Sequence, residues 1–303
     1  MRRQHIFVTI LVLAVIIPFA SANIFTDTWG KITGKATNQP VDLSINIGSG
    51  GAPSITTFAT AITDVSGGLN EGPLSTTVTV KFEATDSEGY GNLNDSSATA
   101  TYSKSGETSR SVQCTRIGGE SSGNVANYSC PVEMWWWDGP GVWSITTFIK
   151  DVNNNQDTDA TKMFSVGSTT GFVSAPSSLT WNVVNPGATN QEANQHMTLN
   201  NTGNLVRNVE INATNLLGVT DNTKGLYATN FTAHIAAGCE GTAMRNKLFT
   251  QVVGASVPIG NYSLADGTGQ EDIYFCLEGA NPDLTQQSYS TAEEGAWTLK
   301  IVA

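Results

Sequence analysis

The alternation of apolar and polar residues predicts β-strands along most of the chain. Within Thr76–Asp86, Val78, Val80 and Phe82 are apolar at every second position, the period of a strand with one buried face. Residues 128–136 and 141–151 repeat the pattern, and runs of Gly, Asn and Asp separate them as turns. We find no long stretch with the 3.6-residue helical period beyond the N-terminus, so we expect an all-β fold.

The strand-like stretches form two groups, which predicts two tandem antiparallel β-sandwich domains. Six or seven short strands lie within residues 52–167, and a second group lies within residues 179–303. Small polar residues and one proline occupy residues 168–178 and predict a linker. A length of 303 residues also favours two domains over one. Residues 219–270 are harder to assign, and we expect a long excursion there.

An arm is predicted at residues 23–51, before the first sandwich. Its segment VDLSINI, residues 41–47, has apolar residues on one face of a strand, at Val41, Leu43, Ile45 and Ile47. The simpler interpretation is a first strand of the first sandwich. The alternative is a strand donated to a neighbouring subunit, which would close an open sheet edge by β-addition.

The first 22 residues predict an export signal cleaved after Ala22. Arg2 and Arg3 supply the positive end, residues 6–20 are an apolar run, and Ala20-Ser21-Ala22 suits a signal peptidase. The run is shorter than the roughly 20 residues that span a bilayer. A pilin-type signal is the less favoured alternative. No second apolar stretch follows, so we expect an extracellular or cell-surface protein without a transmembrane segment in the mature chain.

Charge and residue usage narrow the function. Loss of Arg2 and Arg3 would leave 13 basic residues against 26 acidic ones, a net charge of −13, which argues against nucleic acid as a partner. His5 belongs to the signal, and neither His196 nor His234 lies in a metal-ligand pattern. No nucleophile motif of the G-x-S-x-G type occurs. We therefore expect no enzymatic activity, no catalytic residue and no organic cofactor.

The four cysteines fit an oxidising compartment. Their spacing favours the disulfides Cys114–Cys130 and Cys239–Cys276, although three connectivities remain open from sequence alone. An exported chain with Asn-x-Ser/Thr sequons is a candidate for glycosylation. The sequons begin at Asn94, Asn127, Asn200, Asn212, Asn230 and Asn261.

Two acidic loops follow predicted strands and would emerge at one end of an immunoglobulin-like strand order. Their oxygen-bearing side chains suit calcium. The residues are Asp86, Glu88, Asp151, Asn153, Asn155 and Asp157. A true EF-hand is excluded because Gln156 and Lys162 replace its glycine and glutamate. The simpler interpretation is that Asp and Asn are good turn residues.

The stretch EMWWWDGPGVW, residues 133–143, holds four of the seven tryptophans. Side chains alternate along a strand, so Trp136 is predicted to enter the core with Met134, whereas Trp135 and Trp137 share the outer face. These two indoles would pack against other parts of the chain, contact a protein partner, or stack on sugar rings.

The stretch GPGVWSITTFIKDVNNN, residues 139–155, resembles the penultimate strand and last hairpin of immunoglobulin-like modules in bacterial and archaeal surface proteins. Residues 180–211 are similar to small sandwich modules that recur as spacers and fibre subunits on microbial surfaces. The resemblance implies an architecture rather than an activity. We expect a secreted or cell-surface structural or adhesive protein that associates with itself or with other envelope proteins, with a glycan-binding module as the alternative.

Overall fold

The computed structural model describes residues 50–57, 62–119, 123–264 and 267–303. In these ranges the chain forms strands, no α-helix and two 3₁₀ turns, at Tyr90–Asn92 and Ala228–Asn230, which confirms the all-β prediction. The predicted signal and the segment 41–47 lie outside the described residues. No helix in the described part of the chain is long and apolar enough to cross a membrane.

The first half of the chain forms two four-stranded antiparallel sheets. Eight strands build them: Ser54–Thr57 (β1), Ser75–Thr85 (β2), Leu93–Ser103 (β3), Arg110–Gln113 (β4), Thr115–Gly119 (β5), Val125–Trp135 (β6), Gly141–Asp151 (β7) and Gln156–Val166 (β8). The strand orders are β1-β2-β6-β5 and β4-β3-β7-β8. The two sheets enclose one apolar cluster that runs from Val65 to Val166.

Residue alternation explains the long strands of this sandwich. In β6 every second residue from Ala126 to Met134 is buried, while the residues between them are partly or fully exposed. In β7, Trp143, Ile145 and Ile149 point into the same core. One face of each strand therefore buries apolar area, and the other carries polar side chains.

A disulfide secures the point where the chain changes sheets. Cys114 lies between β4 of one sheet and β5 of the other, and it is joined to Cys130 of β6. Both cysteines are buried in the core, and Thr115 pairs with Ser129 beside them. The bridge thus holds the crossing segment against the strand that it joins.

Twelve strands form the second half of the described chain: Phe172–Ala175 (β9), Thr189–Glu192 (β10), Met197–Asn201 (β11), Arg207–Asn212 (β12), Leu216–Gly218 (β13), Gly225–Leu226 (β14), Phe231–His234 (β15), Thr242–Ala243 (β16), Thr250–Val257 (β17), Gln270–Gly279 (β18), Tyr289–Ser290 (β19) and Thr298–Val302 (β20).

These strands form one six-stranded sheet and two three-stranded sheets. The largest has the order β16-β15-β18-β11-β9, with β10 also paired to β18. Opposite it lies the sheet β17-β12-β20, and a small sheet has the order β14-β13-β19. The stretch 219–270, expected as an excursion, supplies β15 and β17 to the two larger sheets. The second disulfide ties Cys239, in the loop after β15, to Cys276 of β18.

The two apolar clusters differ in how completely they are covered. Among the described residues, four partly buried apolar residues pack against the first cluster, whereas eleven pack against the second. Among the eleven are Leu179, Trp181, Trp297 and Leu299. The interior of the second sandwich is therefore open at its border to a degree that the first is not.

Buried hydrogen bonds attach the second sandwich to one end of the first. Asn204, fully buried, accepts a bond from the Thr169 backbone N–H at 2.7 Å, and its amide donates to the carbonyls of Asp138 and Gly167. Gly203 lies beside it, where an added Cβ would stand 2.3 Å from the Thr169 oxygen. The NTGN turn is thus a structural joint, because only glycine permits this close approach.

We predict that Asn204→Ala lowers the free energy of unfolding by about 3 kcal/mol, because buried backbone groups lose their partners. Urea unfolding followed by fluorescence measures the change, with Asn182→Ala at an exposed position as the matched control. Equal stability of the two variants would contradict the role assigned to Asn204.

Candidate functional site

The indoles of Trp135 and Trp137 stack on each other at the end of β6. Their ring centroids are 5.2 Å apart and their planes differ by 1°. Both side chains are partly buried. Because each ring covers one face of the other, the pair offers less free indole surface than two separate rings on a flat platform would. Binding of a sugar or protein at this pair stays a prediction.

Trp136 is buried, but it lies outside the cluster that fills the first sandwich. Its ring is 5.8 Å from that of Tyr262 in the second half of the chain, and an added Cβ on Gly72 would meet it at 2.7 Å. Strand alternation predicts the face that Trp136 occupies, but not that its neighbours come from the joint between the sandwiches.

Three of the six proposed calcium ligands are carboxylates that lie close together, and the side-chain amide of a fourth, Asn155, donates to the Asp151 carboxylate at 2.8 Å. Carboxylate oxygens of Asp86, Glu88 and Asp151 lie within 4.8 Å of one another, where β2 of one sheet and β7 of the other finish at the same end of the sandwich. Asp86 and Asp151 are buried, whereas Glu88 is exposed. Asp157 is turned elsewhere, since its carboxylate accepts a bond from the Ile55 N–H at 2.7 Å.

Local hydrogen bonds already use the buried carboxylates. Asp151 accepts bonds from the backbone N–H groups of Asn153 and Asn155, each at 2.8 Å, and Asp86 accepts one from Glu88. None of the ion pairs found among the described residues includes Asp86, Glu88 or Asp151. Carboxylate oxygens are hard donors of the type that calcium accepts, and calcium binding at this cluster stays a prediction.

The sequon asparagines are all partly buried. Asn94 and Asn261 each accept a 2.6 Å bond from the hydroxyl of the serine two residues later. Asn212 differs, because its side-chain oxygen is buried without a partner. These contacts describe the protein without a sugar, and use of the sequons stays a prediction.

The two histidines within the described residues, His196 and His234, lie beside the six-stranded sheet. The His196 ring lies 4.9 Å from that of Tyr274 at a tilt of 35°, and its Nε2 is 3.6 Å from a carboxylate oxygen of Asp272. His234 pairs with Tyr274 across β15 and β18. Neither histidine lines the two cavities described below.

Strand β20 forms an edge of its sheet. Among the described strands it pairs only with β12, from Asn208 opposite Val302 to Asn212 opposite Thr298. Leu299 and Ile301 face the apolar interior, while Thr298 and Lys300 are exposed. One row of backbone N–H and C=O groups of β20 therefore has no strand partner in the described chain.

An apolar groove of about 290 Å³ opens beside β20. Its floor includes the buried side chains of Met197, Phe231 and Phe275, and its mouth includes the exposed residues Ser178 and Ala296. Among its lining residues only Tyr289 carries an ionisable side chain. The groove therefore suits uncharged, apolar groups rather than a charged ligand.

Two fixed indoles form walls of this groove. The Trp181 N–H donates to the Gln191 carbonyl at 3.0 Å, and the Trp297 N–H donates to the Thr214 carbonyl at 2.7 Å. Both rings lie 5.4 Å from the ring of Phe231. Because their polar atoms are bonded, the indoles present preformed apolar surfaces.

A second cavity of about 1000 Å³ adjoins the groove and shares Leu179, Trp181 and Tyr289 with it. Residues 176–185 pass over both cavities without forming a strand, and Val183 is 95% exposed. The alternation of Leu179, Trp181 and Val183 resembles that of a strand, so sequence alone does not reveal that this segment forms none.

Comparison with known proteins found no matching protein-family model and no curated protein with a similar sequence.

We predict that calcium raises the melting temperature of the protein by several degrees, because an ion held by Asp86, Glu88 and Asp151 would stabilise the folded state. Asp151→Asn should abolish the shift in differential scanning fluorimetry. Asp64→Asn, at an exposed carboxylate, should retain it. An unchanged melting temperature of the natural chain in calcium would leave the cluster as a turn-forming element only.

Proposed function

We propose that this chain is a secreted or cell-surface structural protein that acts through self-association. The observation that carries the proposal is the apolar groove beside the unpaired edge of β20. An edge strand is a ready template for another strand, and exposed apolar surface next to it favours burial against a partner.

The rest of the described chain supports a structural role. The two sheets of the first sandwich enclose an apolar cluster of buried residues and are held by a buried disulfide, which suits a stable building block. Two disulfides fit an oxidising environment such as the exterior of a cell. In this role the protein acts through complementary surfaces that bind each other, and not through chemistry at a reactive centre.

The contrast between the two sandwiches gives the proposal its physical basis. Water contact with Trp181, Trp297 and Leu299 costs free energy of the order of 25 cal/mol for each Å² of apolar surface. A partner that covers these side chains removes this cost.

We predict that the purified protein associates in a concentration-dependent manner and forms assemblies larger than dimers. Sedimentation velocity measures the size distribution, and electron microscopy of the same samples shows whether the assemblies are filaments or sheets. A single monomeric species at every concentration, with and without calcium, would contradict the proposed function.

A further inference from the structure

We infer that residues 41–47 of one copy bind as an added strand in the groove beside β20 of a second copy. The inference rests on the proposed self-association and names the segment that carries it.

An occupant of the groove that also pairs with β20 needs two properties. It must place apolar side chains over Phe231, Phe275 and the indole walls, and it must offer backbone groups to the free edge of β20. A strand with one apolar face meets both requirements, because its side chains alternate while its backbone pairs sideways. A small apolar molecule would fill the groove but leave the edge unpaired.

The segment VDLSINI has the required pattern. In a strand, Val41, Leu43, Ile45 and Ile47 would share one face, and Asp42, Ser44 and Asn46 would occupy the other. Seven residues in a strand extend for about 23 Å, and the five residues of β20 extend for about 17 Å. The segment is therefore long enough to cover the whole edge, with its polar face toward water.

The position of Gly50 shows that residues 41–47 cannot bind in the groove of their own copy. The Gly50 carbonyl accepts a bond from the Asn155 side chain, and Ser54 pairs with Thr85, so this residue lies at the end of the first sandwich where β2 finishes. The second sandwich is attached at the opposite end, where the Gly72 N–H donates to the Thr202 carbonyl just before β2 begins.

The length of β2 can be compared with the distance that the chain covers between residues 47 and 50. Strand β2 has 11 residues and spans about 36 Å. Gly50 follows Ile47 by three positions, and a fully extended chain covers at most about 11 Å over that interval. Residue 47 therefore cannot reach a groove that lies beyond the far end of β2, and the groove it enters belongs to another copy.

The arrangement predicts the geometry of the assembly. Each copy carries the donated segment at one end and the groove beyond the other, so the contact is head-to-tail. A head-to-tail contact that does not close into a ring produces an open chain of subunits. A filament is therefore expected rather than a closed dimer.

Two variants of the full chain separate donor from acceptor. Leu43→Asp with Ile45→Asp removes the apolar face of the segment, and Ser44→Asp with Asn46→Asp is its control on the opposite face. Ala296→Arg blocks the mouth of the groove at an exposed position, so the core stays intact. Ala292→Arg, exposed in the same loop and outside the groove lining, is its control.

We predict that the donor variant and the groove variant each remain monomeric in sedimentation velocity, while both controls assemble like the natural chain. Mixed together, the two variants should form a one-to-one heterodimer that grows no further. The groove variant supplies an intact segment and the donor variant supplies an intact groove. Thermal melting of each variant checks that it is folded.

A titration tests the contact independently of assembly. A synthetic peptide of residues 40–48 is added to the donor variant, and saturable binding should shift the emission of Trp181 and Trp297 to shorter wavelengths. The same peptide with both aspartate substitutions should cause no shift. No shift with the unmodified peptide would overturn the inference.

The two proposals fail in different ways. Assembly of the natural chain that persists in the donor and groove variants would overturn the inference and leave self-association standing. A natural chain that stays monomeric would contradict the proposed function, and the peptide titration would still decide whether the segment and the groove match.

Discussion

An unpaired sheet edge beside an open apolar interior is the constraint on which the functional account depends. Strand β20 pairs on one side only within the described chain, and the groove next to it exposes the indole walls of Trp181 and Trp297. Backbone groups at an edge are satisfied by water, but the apolar side chains beside them are not. An added strand would replace the water on the backbone groups and would also cover the apolar side chains. The first sandwich shows the contrasting case, because its aromatic residues Trp143 and Phe164 are buried inside.

The joint between the sandwiches fixes the position of the β20 edge relative to the first sandwich. Asn204 bonds to backbone groups on both sides of the joint, and Trp136 packs there against Tyr262. Contacts that are buried and specific hold two bodies in one relative position more firmly than an extended linker does. The first sandwich then acts as a spacer that separates the N-terminal segment from the groove. This separation is what converts a local strand contact into growth in one direction.

Much of the fold could be predicted from the sequence because strand alternation is a local signal. The alternation in β6 and β7 predicts their buried faces, and the spacing of the cysteines favours the two bridges that form. The common end of β2 and β7 likewise follows from the assumed strand order, and it brings Asp86 and Asp151 together. These features depend on the alternation of apolar residues and on the order of the strands along the chain, and both can be read from the sequence.

The joint and the groove could not be predicted because they depend on which surfaces meet. The NTGN motif is typical of any turn, and nothing local shows that Asn204 bonds to the other sandwich. The strands in 219–270 have weak periodicity, so their roles emerge only through pairing with β12 and β18. That residues 176–185 form no strand and line the groove is likewise a matter of tertiary packing.

Hydrogen–deuterium exchange of the peptide that covers Trp297–Val302 tests the central claim most directly. The account predicts rapid exchange of the outward-facing amides of β20 in dilute protein, because their edge is open, and strong protection in concentrated, assembled protein. Equal protection of this strand at both concentrations would contradict the account, since it would mean that the edge is already covered within a single copy.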